Sequence, residues 1–97
     1  MIQKIFSVYD SKGCFFGRPF FEDTELAGIR VFSDAVADNN PNNMWHRHPE
    51  DYSLFTVGEF DNFNGKITPH LLKNLVTASA LSAVVPEKEK QLELPIK

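Results

Sequence analysis

The sequence predicts an α+β domain in which an antiparallel sheet of about four strands carries two helices on one face. Three observations predict this fold. Aromatic and β-branched runs have the length of strands, two segments place apolar residues at helical spacing, and clusters of turn-forming residues separate them. The predicted order is strand, strand, helix, strand, strand, helix (ββαββα). We expect this single domain to span residues 1–85, followed by a flexible charged tail at residues 86–97.

The first two strands are predicted to form a loose hairpin over residues 2–21, which is rich in aromatic residues. Phe15 and Phe16 are neighbours, so their side chains should point to opposite faces of the sheet, as should those of Phe20 and Phe21. Each pair therefore directs one ring away from the main core. A second subunit, a loop or a ligand would have to cover these outward rings.

The first helix is predicted to follow Thr24, whose hydroxyl suits the N-cap position. Its apolar side recurs at steps of three and four residues, at Leu26, Ile29, Phe32 and Val36. The stretch "NNPNNMWHRHPED" has no such period and predicts a long loop, which contains the single tryptophan, Trp45. Long ordered loops in small domains often have a function.

The third strand, "YSLFTVGEFD", is predicted to place Tyr52, Leu54, Thr56 and Phe60 on one face. Phe55 and Val57 should then lie on the other face. Asn64-Gly65 follows and predicts a tight type I′ hairpin turn.

A short return strand is then predicted to end at Thr68-Pro69, which suits the N-cap and first position of a second helix. That helix would extend over "HLLKNLVTASALSAV". Its apolar side would comprise Leu71, Leu72, Leu75 and Val76, with Leu81 as a further candidate.

Composition narrows the function. The net charge of −3 and the pI of about 5.5 weaken a nucleic-acid hypothesis without excluding it, because strong binders of DNA tend to be basic. A single cysteine, Cys14, excludes an intramolecular disulfide and suits a reducing compartment. No signal peptide and no apolar run of about 20 residues are evident, so we expect a soluble, cytoplasmic protein that does not enter a membrane.

Candidate catalytic and metal-binding residues are few. His46, His48 and His70, with Asp51, offer a His-x-His pair, but a zinc site needs three or four converging donors and the third is hard to identify. A polar turn explains "HRHPED" equally well. Cys14 has no evident base beside it in the sequence. We therefore expect no catalytic residues, no metal, no cofactor and no enzymatic activity.

The aromatic hairpin also suggests a surface on which single-stranded bases could stack. Basic side chains would then follow the nucleic-acid backbone. The candidates for this role are Lys12, Arg18, Arg30 and Arg47. The alternative is that most of these phenylalanines form the core of a small protein, and a homodimer would cover outward rings as readily as DNA.

Several segments, in order and spacing, resemble a known family. These are "IFSVYDSK", "PFF", "IRVFSDAVAD" and, most specifically, "HPEDYSLFTVGEFDNFNG". They resemble the small non-structural protein of gokushovirus-type microviruses, which are single-stranded DNA phages, over roughly residues 2–75. The resemblance implies a DNA-binding or DNA-synthesis accessory factor and brings no catalytic residues with it.

The tail ends in "QLELPI", residues 91–96. This segment resembles the six-residue peptide by which bacterial replication factors dock on the DNA polymerase sliding clamp, with Ile96 at the final position. By that resemblance, Gln91 would occupy a polar subsite, and Leu94 and Ile96 would fill an apolar pocket with Leu92 bridging between pockets. Pro95 restricts Leu94 to an extended shape, which lowers the cost of ordering the peptide.

The sequence thus supports two main hypotheses. The first is a non-enzymatic phage replication accessory protein that engages the host sliding clamp through QLELPI. The second is a single-stranded DNA-binding protein that controls phage single-strand synthesis or packaging. A third, an assembly helper acting through protein contacts alone, has less support. A homodimer is compatible with each of them.

Overall fold

The computed structural model describes residues 1–81 and contains one antiparallel sheet. Its strands are β1 (Ile2–Asp10), β2 (Phe15–Phe16), β3 (Phe20–Glu22), β4 (Tyr52–Asp61) and β5 (Lys66–Thr77). β4 pairs with one edge of β1 along its whole length, and β2 and β3 share the other edge. β5 pairs with the far side of β4. The predicted α+β class, the antiparallel sheet and the hairpin over residues 2–21 are confirmed.

Two helices lie between β3 and β4. They are α1 (Glu25–Ala37) and the short α2 (Met44–Arg47), which is followed by a 3₁₀ turn at Pro49–Asp51. The predicted N-cap is confirmed, because the Thr24 hydroxyl accepts a hydrogen bond of 3.1 Å from the Ala27 backbone N–H. The predicted long loop thus contains a helical turn of its own. Residues 78–81 are again helical.

The core lies between α1 and one face of the sheet, here called the inner face. Phe6, Val8 and Leu54 are buried on the sheet side, and Phe32 and Val36 are buried on the helix side. These five side chains are at most 4 % exposed.

Trp45 packs beside this core. Its ring lies 5.4 Å from that of Phe32 and 6.4 Å from that of Tyr52. The prediction that Leu26 joins the apolar side of α1 is wrong, because Leu26 is 79 % exposed. The first turn of α1 approaches the sheet through Gly28 instead, which lies against the Phe6 ring.

A bulge in β4 changes which side chains share a face. Tyr52, Leu54 and Thr56 are buried on the inner face as predicted. Phe6 pairs with Thr56, but the preceding Ile5 pairs with Gly58, so Val57 is an extra residue. Beyond the bulge the alternation shifts by one. The prediction that Phe60 faces the core is therefore wrong, and its ring contacts Phe21 on the opposite face at 5.5 Å.

The hairpin between β4 and β5 forms where predicted, but not with the predicted turn. A type I′ turn needs positive φ values at both Asn64 and Gly65. In residues 1–81 only Cys14 and Gly65 have positive φ values, and Gly65 is at 77°. Residues 62–65 form a four-residue loop that is closed by a 2.7 Å hydrogen bond from the Gly65 N–H to the Asp61 carbonyl.

The second helix does not begin at Pro69 as predicted, because residues 66–77 form β5. Leu71 and Leu72 are 91 % and 56 % exposed, whereas Leu75 and Val76 pack against the core. Pairing with β4 outweighs the local helical pattern, since the strand satisfies backbone groups along β4 that would otherwise be unpaired. The predicted domain end at residue 85 and the tail at residues 86–97 lie outside the described residues.

Candidate nucleic-acid interface

The face of the sheet opposite α1, here called the outer face, carries two groups of aromatic rings. In the first group, the Phe16 ring lies 4.8 Å from that of Tyr9 and 5.5 Å from that of Phe55, and the Tyr9 and Phe55 rings are 6.1 Å apart. The second group is the Phe21–Phe60 pair. Tilted and edge-to-face contacts at these distances are favourable for aromatic rings, so each group holds its members in place.

The sequence positions each ring through cross-strand pairing. Phe16 pairs with Tyr9, and Phe21 pairs with Ile5, so these side chains share the outer face. Phe16 and Phe21 remain 39 % and 40 % exposed, whereas Ile5 is 6 % exposed beneath them. The surface therefore presents two partly open rings over a closed apolar layer.

The two open rings are separated along β1 by a step of four residues, from Ile5 to Tyr9. At roughly 3.3 Å per residue this gives a separation of about 13 Å. The connection between β2 and β3 is fixed at Gly17. Its N–H donates to the Val8 carbonyl at 2.8 Å, and its carbonyl accepts a 2.8 Å bond from the buried Ser7 hydroxyl. The spacing of the rings is thus set by backbone hydrogen bonds.

Charged side chains occur beside the outer face and not on it. The outer-face positions of β1, β3 and β4 that cross-strand pairing identifies are all uncharged. They are Gln3, Ile5, Ser7, Tyr9, Phe21, Ser53, Phe55, Gly58 and Phe60. Lys12 is exposed in the turn before β2, and Arg18 is exposed in the connection between the two open rings. Two acidic groups are close: Asp23 accepts a 3.3 Å hydrogen bond from Gln3, and Asp10 neighbours Tyr9.

The four predicted nucleic-acid contacts do not lie together. Lys12 and Arg18 flank β2, whereas Arg30 is exposed on α1 and Arg47 is exposed on α2. Both helices pack on the inner side, and Arg47 contacts the Pro41 carbonyl at 3.4 Å. The structure therefore associates only Lys12 and Arg18 with the aromatic surface.

The structure separates two of the three histidines from any shared site. Nδ1 of His46 lies 2.9 Å from the Val36 carbonyl, and Nδ1 of His70 lies 2.8 Å from the Leu71 carbonyl. His48 instead lies with Glu50 and Asp51, and one donor atom from each falls within 4.8 Å of the others. These donors come from a single turn, in which Glu50 is exposed and His48 and Asp51 are half-buried. The sequence had pointed to His48 and Asp51 as candidate metal ligands but not to Glu50.

Electrostatics keep the aromatic surface neutral. Burial raises the pKa of Tyr9 above its ordinary value of 10.0, and the neighbouring Cys14 and Asp10 side chains raise it further. The Tyr9 phenol therefore stays protonated at neutral pH. The Asp10 carboxylate is held by the Lys12 and Gly13 backbone N–H groups, at 2.9 and 3.0 Å.

Sequence reasoning anticipated part of this surface. The argument that one ring of each phenylalanine pair points outward agrees with the positions of Phe16 and Phe21. The alternation along β4 also placed Phe55 on the other face. Tyr9 was not singled out, and Phe60 joins the surface only through the bulge at Val57, which no local sequence signal indicated. Within residues 1–81, no helix has both the length and the apolar character to cross a membrane.

Comparisons with known proteins agree on a phage origin. Residues 3–81 match the model of the family described as Phage ORF5 protein. The chain is also similar to "Protein ORF5" of Chlamydia phage 1, with 36 % identity over 66 residues that cover 66 % of this chain and 69 % of that protein. No solved structure matches the chain significantly.

Proposed function

Because this chain belongs to the Phage ORF5 protein family, a family of small microvirus-type phage proteins, we propose that it is a non-enzymatic accessory factor of phage DNA replication in the host cytoplasm. Its outer face would hold single-stranded DNA during single-strand synthesis or packaging. The observation that carries this proposal is the pair of partly exposed rings, Phe16 and Phe21, with Arg18 between them in the chain.

Stacking would supply most of the affinity. A base stacked on an aromatic side chain contributes roughly 1–3 kcal/mol, and every base has a face that can stack, so binding would tolerate many sequences. The rings of Phe16 and Phe21 are held by Tyr9, Phe55 and Phe60, so little ordering cost remains to be met on binding.

Charge would contribute little, which suits an acidic protein. Two phosphate contacts, from Lys12 and Arg18, correspond to a slope of about −1.4 for the logarithm of affinity against the logarithm of salt concentration. A basic groove with many contacts would give a much steeper slope. A DNA affinity that depends weakly on salt but strongly on Phe16 and Phe21 therefore distinguishes this surface from a basic groove that binds mainly through phosphate contacts.

The test is fluorescence anisotropy of a labelled oligothymidylate with the full-length protein. Phe16→Ala and Phe21→Ala should each weaken binding roughly 5- to 150-fold. Phe63→Ala is the matched control, because Phe63 is 90 % exposed in the β4–β5 loop and should leave binding unchanged. Arg18→Glu should weaken binding, whereas Arg30→Glu on α1 should not. No binding by the wild type, or an equal loss in Phe63→Ala, would overturn the proposal.

A second function is supported by residues 91–96, QLELPI, which lie outside the described residues. The resemblance to the sliding-clamp peptide suggests that Gln91, Leu92, Leu94, Pro95 and Ile96 engage the host clamp. Burying two or three aliphatic side chains contributes roughly 1.5–3 kcal/mol each. Part of this is lost in ordering the peptide, so an affinity of roughly micromolar is expected. Such a tether would recruit the clamp to phage DNA or compete with host polymerases.

Calorimetry with a purified bacterial sliding clamp tests the second function. The full-length protein should bind, and Gln91→Ala combined with Leu94→Ala should abolish binding. Glu93→Ala is the control, because the clamp motif accepts any residue at that position. Clamp binding that survives the double substitution would show that the motif assignment is wrong. The result of this calorimetry experiment does not depend on whether the outer face binds DNA.

A further inference from the structure

β5 forms an open edge of the sheet. Its inner neighbour is β4, and within residues 1–81 no strand pairs with its other side. The first nine of its 12 residues are exposed. A row of unpaired backbone N–H and C=O groups on an edge strand is a template for pairing with another chain.

The middle of this edge is both apolar and loosely held by β4. Lys73 pairs with Thr56, and Pro69 pairs with Gly58, so residues 70–72 stand opposite the single residue Val57. These three residues have no cross-strand partner in β4. Two of them are exposed leucines, Leu71 at 91 % and Leu72 at 56 %. Adjacent exposed leucines on a strand with free backbone groups indicate a protein contact.

We propose that a second copy of this chain pairs antiparallel with the segment of β5 around Leu71. The result is a two-fold dimer in which one sheet continues through both copies. A homodimer contact of this kind brings the same patch of each copy together, so the segment must be complementary to itself.

The segment meets this requirement. A pairing centred on Leu71 places Leu71 beside the same residue of the second copy and places Lys73 opposite Pro69. No lysine then faces a lysine. Leu71 meets the same residue of the second copy at the symmetry axis, and Leu72 lies opposite His70 of that copy. Pro69 has no N–H to donate and lysines discourage pairing at an edge, so contact is limited to this short central segment.

The dimer contact and the aromatic surface lie at opposite edges of the sheet. β5 is at one edge, and β2 and β3, with Phe16, Arg18 and Phe21, are at the other. Dimerisation therefore leaves both aromatic surfaces open. Each dimer would carry two proposed DNA-binding surfaces and two copies of residues 86–97, which raises avidity without new contacts. The dimer itself does not depend on either proposed function.

Sedimentation of the full-length protein over a concentration series tests the dimer. The wild type should sediment as a dimer, and Leu71→Asp should weaken the association at least tenfold, because it would place two carboxylates at the symmetry axis. Leu26→Asp is the matched control, since Leu26 is 79 % exposed on α1, and it should remain dimeric. Both residues are exposed, so both variants should fold, which circular dichroism checks.

Hydrogen exchange supplies a second measurement on the unmodified protein. The amides of residues 70–72 should become protected as the protein concentration rises. A wild type that stays monomeric at about 100 µM would overturn the proposal. So would protection that is independent of concentration, because it would show that this chain's own residues 82–97 cover the edge. This contact would also be excluded if the Leu71→Asp variant and the Leu26→Asp variant each formed dimers as strongly as the wild type does.

Discussion

The Phe6 ring occupies the space into which a side chain at Gly28 would project. An added Cβ at Gly28 would overlap the edge of that ring. Phe6 is fully buried and stacks on Phe20, with ring centroids 5.3 Å apart and planes inclined by 19°. The packing of α1 against the sheet at Gly28 thus depends on the absence of a side chain at one helical position.

Gly28→Ala should therefore destabilise the protein. Alanine improves helix propensity by about 1 kcal/mol, but overpacking against a confined ring costs about 1–3 kcal/mol. We expect a net loss in the free energy of unfolding, measured by urea denaturation. Phe6→Leu should restore part of the stability in the Gly28→Ala background, since it vacates the contested space. A Gly28→Ala protein more stable than the wild type would contradict this packing.

Asn43 connects α1 to α2. Its side-chain oxygen accepts a 3.2 Å hydrogen bond from the Trp45 backbone N–H, and its side-chain nitrogen donates to the Ala35 and Asp38 backbone carbonyls at 2.7 and 2.8 Å. Asn43→Asp keeps the acceptor but loses both donors. We expect it to cost about 1–3 kcal/mol in urea denaturation, because it leaves a carboxylate facing two carbonyl oxygens. If Asn43→Asp were as stable as the wild type, the donor bonds would contribute nothing.

β4 and β5 pack closely at Gly58, which pairs with Pro69. An added Cβ there would lie 2.7 Å from the Thr68 carbonyl oxygen and 3.2 Å from the Pro69 Cα. These are backbone atoms, which cannot rotate away. Gly58→Ala should increase hydrogen exchange in β5 and lower the free energy of unfolding. Ser53→Ala on the same strand is a milder comparison, since it removes only the hydroxyl contact to Thr77 at 3.0 Å. Unchanged exchange in β5 would contradict the close approach.

Tyr52 should make stability depend on alkaline pH. Burial raises its pKa above 10.0, and the carboxylates of Asp10 and Asp51 raise it further. The folded protein therefore holds the phenolic proton more tightly than the unfolded chain. This contribution is fully present below the unfolded pKa and is lost as the pH rises through the folded pKa. The free energy of unfolding should fall above about pH 10, and Tyr52→Phe should reduce that fall. An identical pH profile for the variant would assign the effect elsewhere.

Local sequence patterns correctly predicted the elements whose conformation does not depend on distant contacts. Thr24 caps α1 as its hydroxyl suggested, and the alternation of Tyr52, Leu54 and Thr56 holds up to Val57. The helix expected after Pro69 failed for a different reason. Leu71, Leu72, Leu75 and Val76 have helical spacing, but their conformation is decided by pairing with β4, a distant contact that periodicity does not report.

The aromatic surface was predictable from the sequence only in part. Adjacent phenylalanines must point to opposite faces of a strand, so outward rings followed from the sequence alone. Which basic residues accompany them did not follow. Lys12 and Arg18 lie beside β2 because of the order in which strands pair with β1, whereas Arg30 and Arg47 are on helices that pack on the other side.

Cys14 is the single cysteine of this chain, and it is exposed in the turn that leads into β2, with a φ value of 61°. A thiol in this position offers a unique attachment point for a fluorescent dye, with no competing site to remove. A dye there would lie two residues from Phe16 and would sense an approaching nucleic-acid strand. Donor and acceptor dyes on separate copies would give energy transfer only within a dimer, so the same cysteine can report both DNA binding and dimer formation.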